Sequence, residues 1–423
     1  MNGPEYGWYG DDFTGATDTL AELASRGMRA LLFLGLPDAA RLKRAGPLDA
    51  VGLAGASRAL VPGAMAAELA PVGRFFRDLG VRMMHYKCCS TFDSASEVGS
   101  IGSAVATLRP FFSNPFRPIV GGQPNLGRYT LFGHLFAAAG TGAAVHRIDR
   151  HPTMRAHPVT PMAEADLRLH LAAQGLDAVN LPYLSYDHGE LATEMLLDRL
   201  LAAEPDAVLM DVSREADLAA IGHLLRSRSL RAPLLAVGPS GVAQAWCAGT
   251  AIGPGRAVLG RKAGPVLVLA GSLSPVTRRQ VAEATDYRCL TVDPAVLIDD
   301  AAGAAATTAE ACRLLRAGED LLIVTQSPGD AAPASDKVAA ATATLLAQIM
   351  QQHPVRRLGI AGGDTSSFGT RALDLWGLSH VGSLAPGIAL CHGHSDNPVL
   401  DGLEVMLKGG QMGAPDLLAR FRV

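Results

Sequence analysis

The sequence predicts an α/β protein of two domains, each with a mainly parallel sheet flanked by helices, and three observations lead there. Short apolar runs alternate with amphipathic or Ala-rich stretches from end to end, the pattern of strand–helix–strand units. The chain has 423 residues, more than one ordinary core accommodates. Hydrophobic residues make up 48% of them, ample for sheets covered on both faces.

Taken in order, Trp8 to Gly10 ends a first strand and Thr14 opens a first helix. The apolar face of that helix (Leu20, Leu23, Ala24) stops at Gly27. Met28 to Leu34 reads as a buried strand, followed by strand candidates at Val51 to Ala54, Ile119 to Val120, Ala178 to Leu181, Ala207 to Met210 and Leu234 to Val237. A stretch rich in Gly and basic residues, about 249–264, lacks periodicity and is the expected linker. It separates an N-terminal domain over 1–248 from a C-terminal one over 265–423. The second series starts at Val266 to Ala270 and passes a helix near Thr277, a strand at Leu321 to Val324 and an Ala-rich helix from about Asp336 to Gln352. Its last strand, Leu358 to Ala361, runs directly into Gly362.

Composition narrows the function classes. Formal net charge is −3, so no basic surface argues for nucleic acid or an anionic membrane. No run approaches the ~20 apolar residues of a membrane span. The cysteines are scattered without a CxxC pair, as expected of reduced thiols. Residues 1–6 lack a basic region followed by an apolar one, so a cytoplasmic location is expected. A homodimer is the expected assembly, being the commonest one.

Gly10 to Asp18 places Asp11, Asp12 and Asp18 at a strand-to-helix turn, with Thr14 and Gly15 between them. The carboxyl edge of an open α/β sheet is where ligands bind, and carboxylates there accept hydrogen bonds from hydroxyls or serve as general base. One helix cap would explain one acid, not three. Lys87, Ser90, Thr91 and Asp93 form a second cluster at another strand end. There the lysine suits a carboxylate and the others suit hydroxyls, although a Ser/Thr-rich capping loop is the structural alternative. A third segment, from Arg147 to Met162, holds Arg155 and His157 among proline-restricted backbone. A rigid cationic loop of this kind fits a small carboxylate.

The C-terminal half carries phosphate chemistry. Gly271-Ser272 follows one apolar strand and Gly362-Gly363-Asp364-Thr365 follows another. Each offers backbone amides to an anion at a helix start. Thr365 adds a hydroxyl, Asp364 is the candidate magnesium ligand, and Lys408-Gly409-Gly410 would close over a nucleotide. No GxxxxGK[ST] loop, protein-kinase Gly-rich loop or DFG motif is present.

Together these segments resemble the four-carbon acid sugar kinases, long catalogued as a domain of unknown function. The resemblance runs over essentially the whole length. It rests on Asp11 to Ala16, on Lys87 with Cys89 to Ser94, on Gly271-Ser272, on Gly362 to Thr365 and on Lys408 to Gly413. It implies an N-terminal domain for the acid sugar, a C-terminal domain for ATP and an active site in the cleft between them. Ser272, Gly362, Gly363, Asp364, Thr365 and Gly409 would contact the nucleotide. The acceptor would be the terminal hydroxyl of threonate, erythronate, 3-oxo-tetronate or a branched 3-oxo acid. Thr17 and Ser100 stand where many members carry Asn, beside the expected substrate site. Arg155 or Lys87 would bind the substrate carboxylate, and Asp11 or Asp12 would deprotonate the hydroxyl. A nicotinamide dehydrogenase would need GxGxxG after its first strand, which is absent at Gly10 to Gly15. A sugar-acid-binding protein would not need the C-terminal glycine turns.

Overall fold

The computed structural model describes residues 3–140, 142–157, 159–249, 260, 263–271, 274–326 and 335–422, apart from the side chains of residues 335, 336 and 364. The chain divides into two compact units, Met1–Gly253 and Pro254–Val423. Most of the expected linker lies outside the described residues, as does Ser272.

Unit 1 contains strands β1 (Tyr6–Gly10), β2 (Ala30–Phe33), β3 (Ala50–Ala54), β4 (Met83–Lys87) and β5 (Pro118–Val120). These are followed by β6 (Arg128–Leu131), β7 (His134–Ala138), β8 (Val145–Arg147), β9 (Ala178–Leu181), β10 (Ala207–Met210) and β11 (Leu234–Gly238). The main sheet runs β2-β3-β1-β4-β11-β5-β10-β9, and each of these pairings is parallel. Parallel strands need crossovers, and helices supply them on both faces. Strands β1, β3, β4 and β11 are accordingly buried throughout. β6, β7 and β8 form a separate antiparallel sheet inserted in sequence between β5 and β9.

One feature of this order positions chemistry. β1 and β4 are neighbours in register, Gly10 opposite Lys87. The connection leaving β1, helix Phe13–Ser25, leads to β2 on one side, while the helix after β4, Ile101–Leu108, leads to β5 on the other. The two crossovers therefore diverge and leave a crevice beyond Gly10 and Lys87, the topological switch point of an open α/β sheet.

Unit 2 repeats this logic. Its strands are β12 (Val266–Ala270), β13 (Arg288–Val292), β14 (Leu321–Thr325), β15 (Arg357–Ala361), β16 (Gly377–Ala385), β17 (Ile388–His394) and β18 (Leu403–Lys408). They are ordered β13-β14-β12-β15-β18-β17-β16. From β13 to β18 the pairings are parallel, with divergent crossovers between β12 and β15. Gly271 follows one of these strands and Gly362 the other, so both expected phosphate turns border the switch point. β16 and β17 are joined by a tight turn with Gly387 at φ 73°, which permits only antiparallel pairing. Val266, Val268, Leu390, Met406 and Phe421 are among the residues of the core beneath this sheet.

The sequence reading located most of the central parallel strands, marked β4 only by its end at Lys87, and left out β6 to β8, β13 and β16 to β18. β13 is mostly exposed, so it lacks a continuous apolar signature. β16 and β17 mix Gly, Ser and His with apolar residues, which blurs the period.

Candidate active site

At the carboxyl edge of the unit 1 sheet, backbone hydrogen bonds carry the ladder past the strand ends. Asp11 N donates to Lys87 O at 3.0 Å, Gly55 N to Gly10 O at 2.9 Å and Cys88 N to Gly238 O at 3.1 Å. The turn after β3 docks against the same point, with Arg58 N donating to Asp11 O at 3.2 Å. These bonds fix where the charged side chains emerge.

Arg58 is the organising cation. Its Nε and Nη2 donate to the Asp11 carboxylate at 3.0 and 2.7 Å, while Nη1 forms an ion pair with Asp12. Asp12 caps helix Phe13–Ser25, accepting from Gly15 N at 2.5 Å and from Thr14 Oγ1 at 3.3 Å. Lys87, also buried, sits so close to Gly15 that a Cβ there would collide with its Nζ. The glycine is needed for that approach.

Burial acts hardest on Asp11 and lifts its pKa above the ordinary carboxylate range, with Arg58 pulling the other way. In Asp12 the same burial is outweighed by Arg58, Lys87 and the Gly15 amide, so its pKa falls. Burial opposes the Lys87 charge, but Asp12 and Asp11 outweigh it and hold the ammonium protonated. The crevice thus holds two acids shifted in opposite directions, Asp11 upward and Asp12 downward.

The remaining expected residues divide into two sets. Asp18 is buried and accepts from Gln123 Nε2 at 3.0 Å, and its pKa is raised by burial and then by Glu22. Thr91 Oγ1 donates to Asp93 at 2.6 Å, with Ser90 half-buried beside them. Cys89 Sγ lies 3.0 Å from Thr91 Oγ1, its thiol pushed up to about 11 by burial and then by Asp93. This loop turns through Phe92 at φ 53°. His170 Nε2, 3.1 Å from Phe92 O and 2.9 Å from Ser94 Oγ, holds it in place. Arg147, Arg155 and His157 form the other set. Arg147 is exposed and donates from Nε and Nη2 to the Asp149 carboxylate, each at 2.6 Å. His157 Nδ1 accepts from Thr160 N at 3.1 Å. Among the described residues none of these three bonds to Asp11, Asp12, Asp18 or Lys87.

In unit 2, Gly271 N donates to Ala361 O at 3.0 Å and Gly362 N to Lys408 O at 2.9 Å, aligning the ends of β12, β15 and β18. A Cβ on Gly271 would strike Thr365 Oγ1. Gly362, at φ 124°, precedes helix Gly363–Ala372 without any side-chain cap, leaving its first amides open. The Asp364 side chain lies outside the described atoms. Lys408 is fully buried, yet its Nζ donates to Thr277 Oγ1 at 3.0 Å and to no carboxylate among the described residues. Burial drops its pKa to about 8. Thr277 Oγ1 in turn donates to Gly410 O at 2.9 Å, and Ser274 Oγ bonds the same oxygen. This fixes the turn that contains Gly409. A buried cation that meets no anion among the described residues, beside open amides, fits a polyphosphate. Among the described residues no group of His, Cys, Asp and Glu side chains could hold a metal ion by itself.

Arg58, Gln123 and Thr277 were given no functional role by the sequence reading. Arg58 had one available signal: it stands just past a buried strand, where edge residues of a parallel sheet enter the crevice.

The chain matches the sugar-binding N-terminal domain family over residues 6–246 and the nucleotide-binding C-terminal domain family over residues 267–418. It is 36% identical to a 3-oxo-isoapionate kinase of Paraburkholderia graminis, covering 96% of this chain and 91% of that one. It is 31% identical to a 3-oxo-tetronate kinase of Cupriavidus necator, covering 98% and 95%. A solved structure of a Salmonella typhimurium protein, described as a supposed tRNA synthase, aligns with TM-score 0.80 at 25% identity over 98% of each chain. A Haemophilus influenzae protein shares the fold at TM-score 0.72 and 23% identity, again over 98% of each chain. By its paired domains and its relatives, the chain belongs to the four-carbon acid sugar kinase family.

Proposed function

We propose that this chain is an ATP-dependent acid sugar kinase, transferring the γ-phosphoryl group to the terminal hydroxyl of a small sugar acid. The acceptor is a four-carbon acid (threonate, erythronate or 3-oxo-tetronate) or a branched 3-oxo acid such as 3-oxo-isoapionate, which the name of the 36% identical relative favours.

The observation that carries this reading is the contrast between the two switch points. That of unit 1 gathers carboxylates matched by Arg58 and Lys87. That of unit 2 offers open amides and Lys408, a cation without a carboxylate among the described residues. The first set suits a polyol that must lose a proton, the second a polyphosphate.

In the proposed mechanism unit 1 binds the sugar acid. Asp11, the acid whose pKa is raised, takes the proton from the terminal hydroxyl as general base. Asp12, held ionised by Arg58 and Lys87, fixes the start of helix Phe13–Ser25 and orients the substrate with Thr14, Asp18, Thr91 and Asp93. The alkoxide attacks the γ-phosphorus in line, and ADP leaves. Gly271, Gly362, Gly363, Thr365, Lys408 and Gly409 hold the nucleotide. Asp364 would be the protein ligand of a magnesium ion bound with ATP, whose charge would offset that of the phosphates.

ADP release after mixing the protein and MgATP with threonate, erythronate, 3-oxo-tetronate and 3-oxo-isoapionate tests the reading. Turnover with at least one acid is expected; ATP hydrolysis indifferent to all of them would overturn it.

A further inference from the structure

We propose that Arg128, with Gln123 beside it, forms the seat for the substrate carboxylate. The inference rests on the kinase reading for its substrate class and on side-chain geometry for its location.

Of the cations expected for this task, Arg155 is exposed; the others, and Arg58 with them, are occupied elsewhere. Arg58 is bound to Asp11 and Asp12, Lys87 is balanced by the same pair, and Arg147 is bound to Asp149. Arg128 differs from them. Its guanidinium meets no carboxylate among the described residues: Nη1 donates to Leu126 O at 2.5 Å and to Ala138 O at 3.2 Å. Those bonds anchor one arm only. Nε is buried and has no partner among the described residues; it belongs to the edge of the guanidinium that binds a carboxylate in two parallel hydrogen bonds. Burial weighs against the Arg128 charge, and Cys89 of the substrate loop lies within its electrostatic reach.

Gln123 supplies the second observation. Its backbone pairs with Arg128, N to O at 3.0 Å and O from N at 3.2 Å. Its side chain is buried, and Nε2 donates to Asp18 at 3.0 Å while Oε1 accepts nothing from the described residues. An unused donor and an unused acceptor on paired residues, one linked to Asp18, are a costly arrangement unless a ligand completes it. A 2-hydroxy acid does so: its carboxylate meets the Arg128 edge and its adjacent hydroxyl donates to Gln123 Oε1. Discrimination in favour of acids then follows, since a neutral polyol would leave the guanidinium unanswered.

The test compares calorimetric binding of erythronate and its neutral counterpart erythritol to wild type, Arg128→Lys and Arg128→Gln. Wild type should prefer erythronate. Arg128→Gln should lose about 10- to 100-fold of that preference, as expected for a charge-assisted pair, with erythritol affinity unchanged. Arg128→Lys can still bond the Leu126 and Ala138 carbonyls but lacks the planar fork, so it should fold as wild type and show an intermediate loss. Equal weakening of both ligands would make Arg128 a strut of the hairpin. No change, or no preference in wild type, would place the carboxylate elsewhere; each result overturns the proposal. Turnover is read separately: erythronate binding through Arg128, without phosphoryl transfer to any acid, would sink the kinase reading and leave this assignment standing.

Discussion

Arg58 clasps Asp11 through two parallel hydrogen bonds, 3.0 and 2.7 Å long, from a position 47 residues further along the chain. The same guanidinium pairs with Asp12, so one side chain sets the charge of both acids in the crevice.

Arg58→Ala should therefore injure both stability and catalysis. It leaves two buried carboxylates with Lys87 as their one remaining cation, a loss of about 3–5 kcal/mol for a broken buried pair. Arg58→Lys keeps the charge without the fork and separates the effects. Arg58 lowers the Asp11 pKa in the wild type, so weakening that pull should move the acidic limb of the kcat profile to higher pH. Urea titration and a pH–rate profile check the two halves.

The proposed base is tested by Asp11→Asn. With the carboxylate gone, kcat should fall about 10²–10⁴-fold, while ATP affinity, governed by unit 2, stays near wild type. A kcat within threefold of wild type would remove Asp11 as the base.

Lys408 predicts a pH dependence of nucleotide binding. Burial lowers its pKa from 10.5 to about 8, a drop worth about 3 kcal/mol. The free protein carries that cost below pH 8, where the ammonium is charged. It sheds the cost as pH rises from about 8 toward 10.5, because the folded state releases a proton that the unfolded chain retains. Phosphate favours the charged form, so ATP affinity should weaken above pH 8 by at most about tenfold per pH unit. Lys408→Met should raise the melting temperature of the free protein while weakening ATP binding, a combination that a purely structural lysine would not give.

His85 predicts acid sensitivity. It is buried between Tyr6 Oη at 2.8 Å and Gly238 O at 2.9 Å, and burial brings its pKa down from 6.5 to about 3. Its contribution is complete above pH 6.5 and is lost as pH falls toward 3, since the unfolded chain takes up the proton first. Between pH 6.5 and 5 this amounts to about 2 kcal/mol. His85→Gln should flatten that slope in denaturation curves measured across the window.

Two glycines separate the halves of the reaction. Gly15→Ala would push Lys87 Nζ from its place and Gly271→Ala would crowd Thr365, each at about 1–3 kcal/mol of strain. The first should lower kcat with ATP affinity intact. The second should weaken ATP binding and spare that of the acid sugar. Calorimetry with each ligand distinguishes them.

Most of the central parallel strands, the glycine turns at their ends and the acids beside them are legible in the order of amino acids alone. These features are local: strand preference, turn chemistry and helix capping act within a few residues, so Asp12 before Gly15 and Gly362 after Ala361 announce themselves. Which charges meet is settled by the folded arrangement. That Arg58 belongs to Asp11, that Arg147 is bound to its neighbour Asp149, and that the Nε of Arg128, beside Gln123, meets no partner among the described residues follow from strand order and from the inserted antiparallel sheet. Strand order is set by packing between segments far apart in the chain, and a cation's role depends on which carboxylate that packing brings within reach.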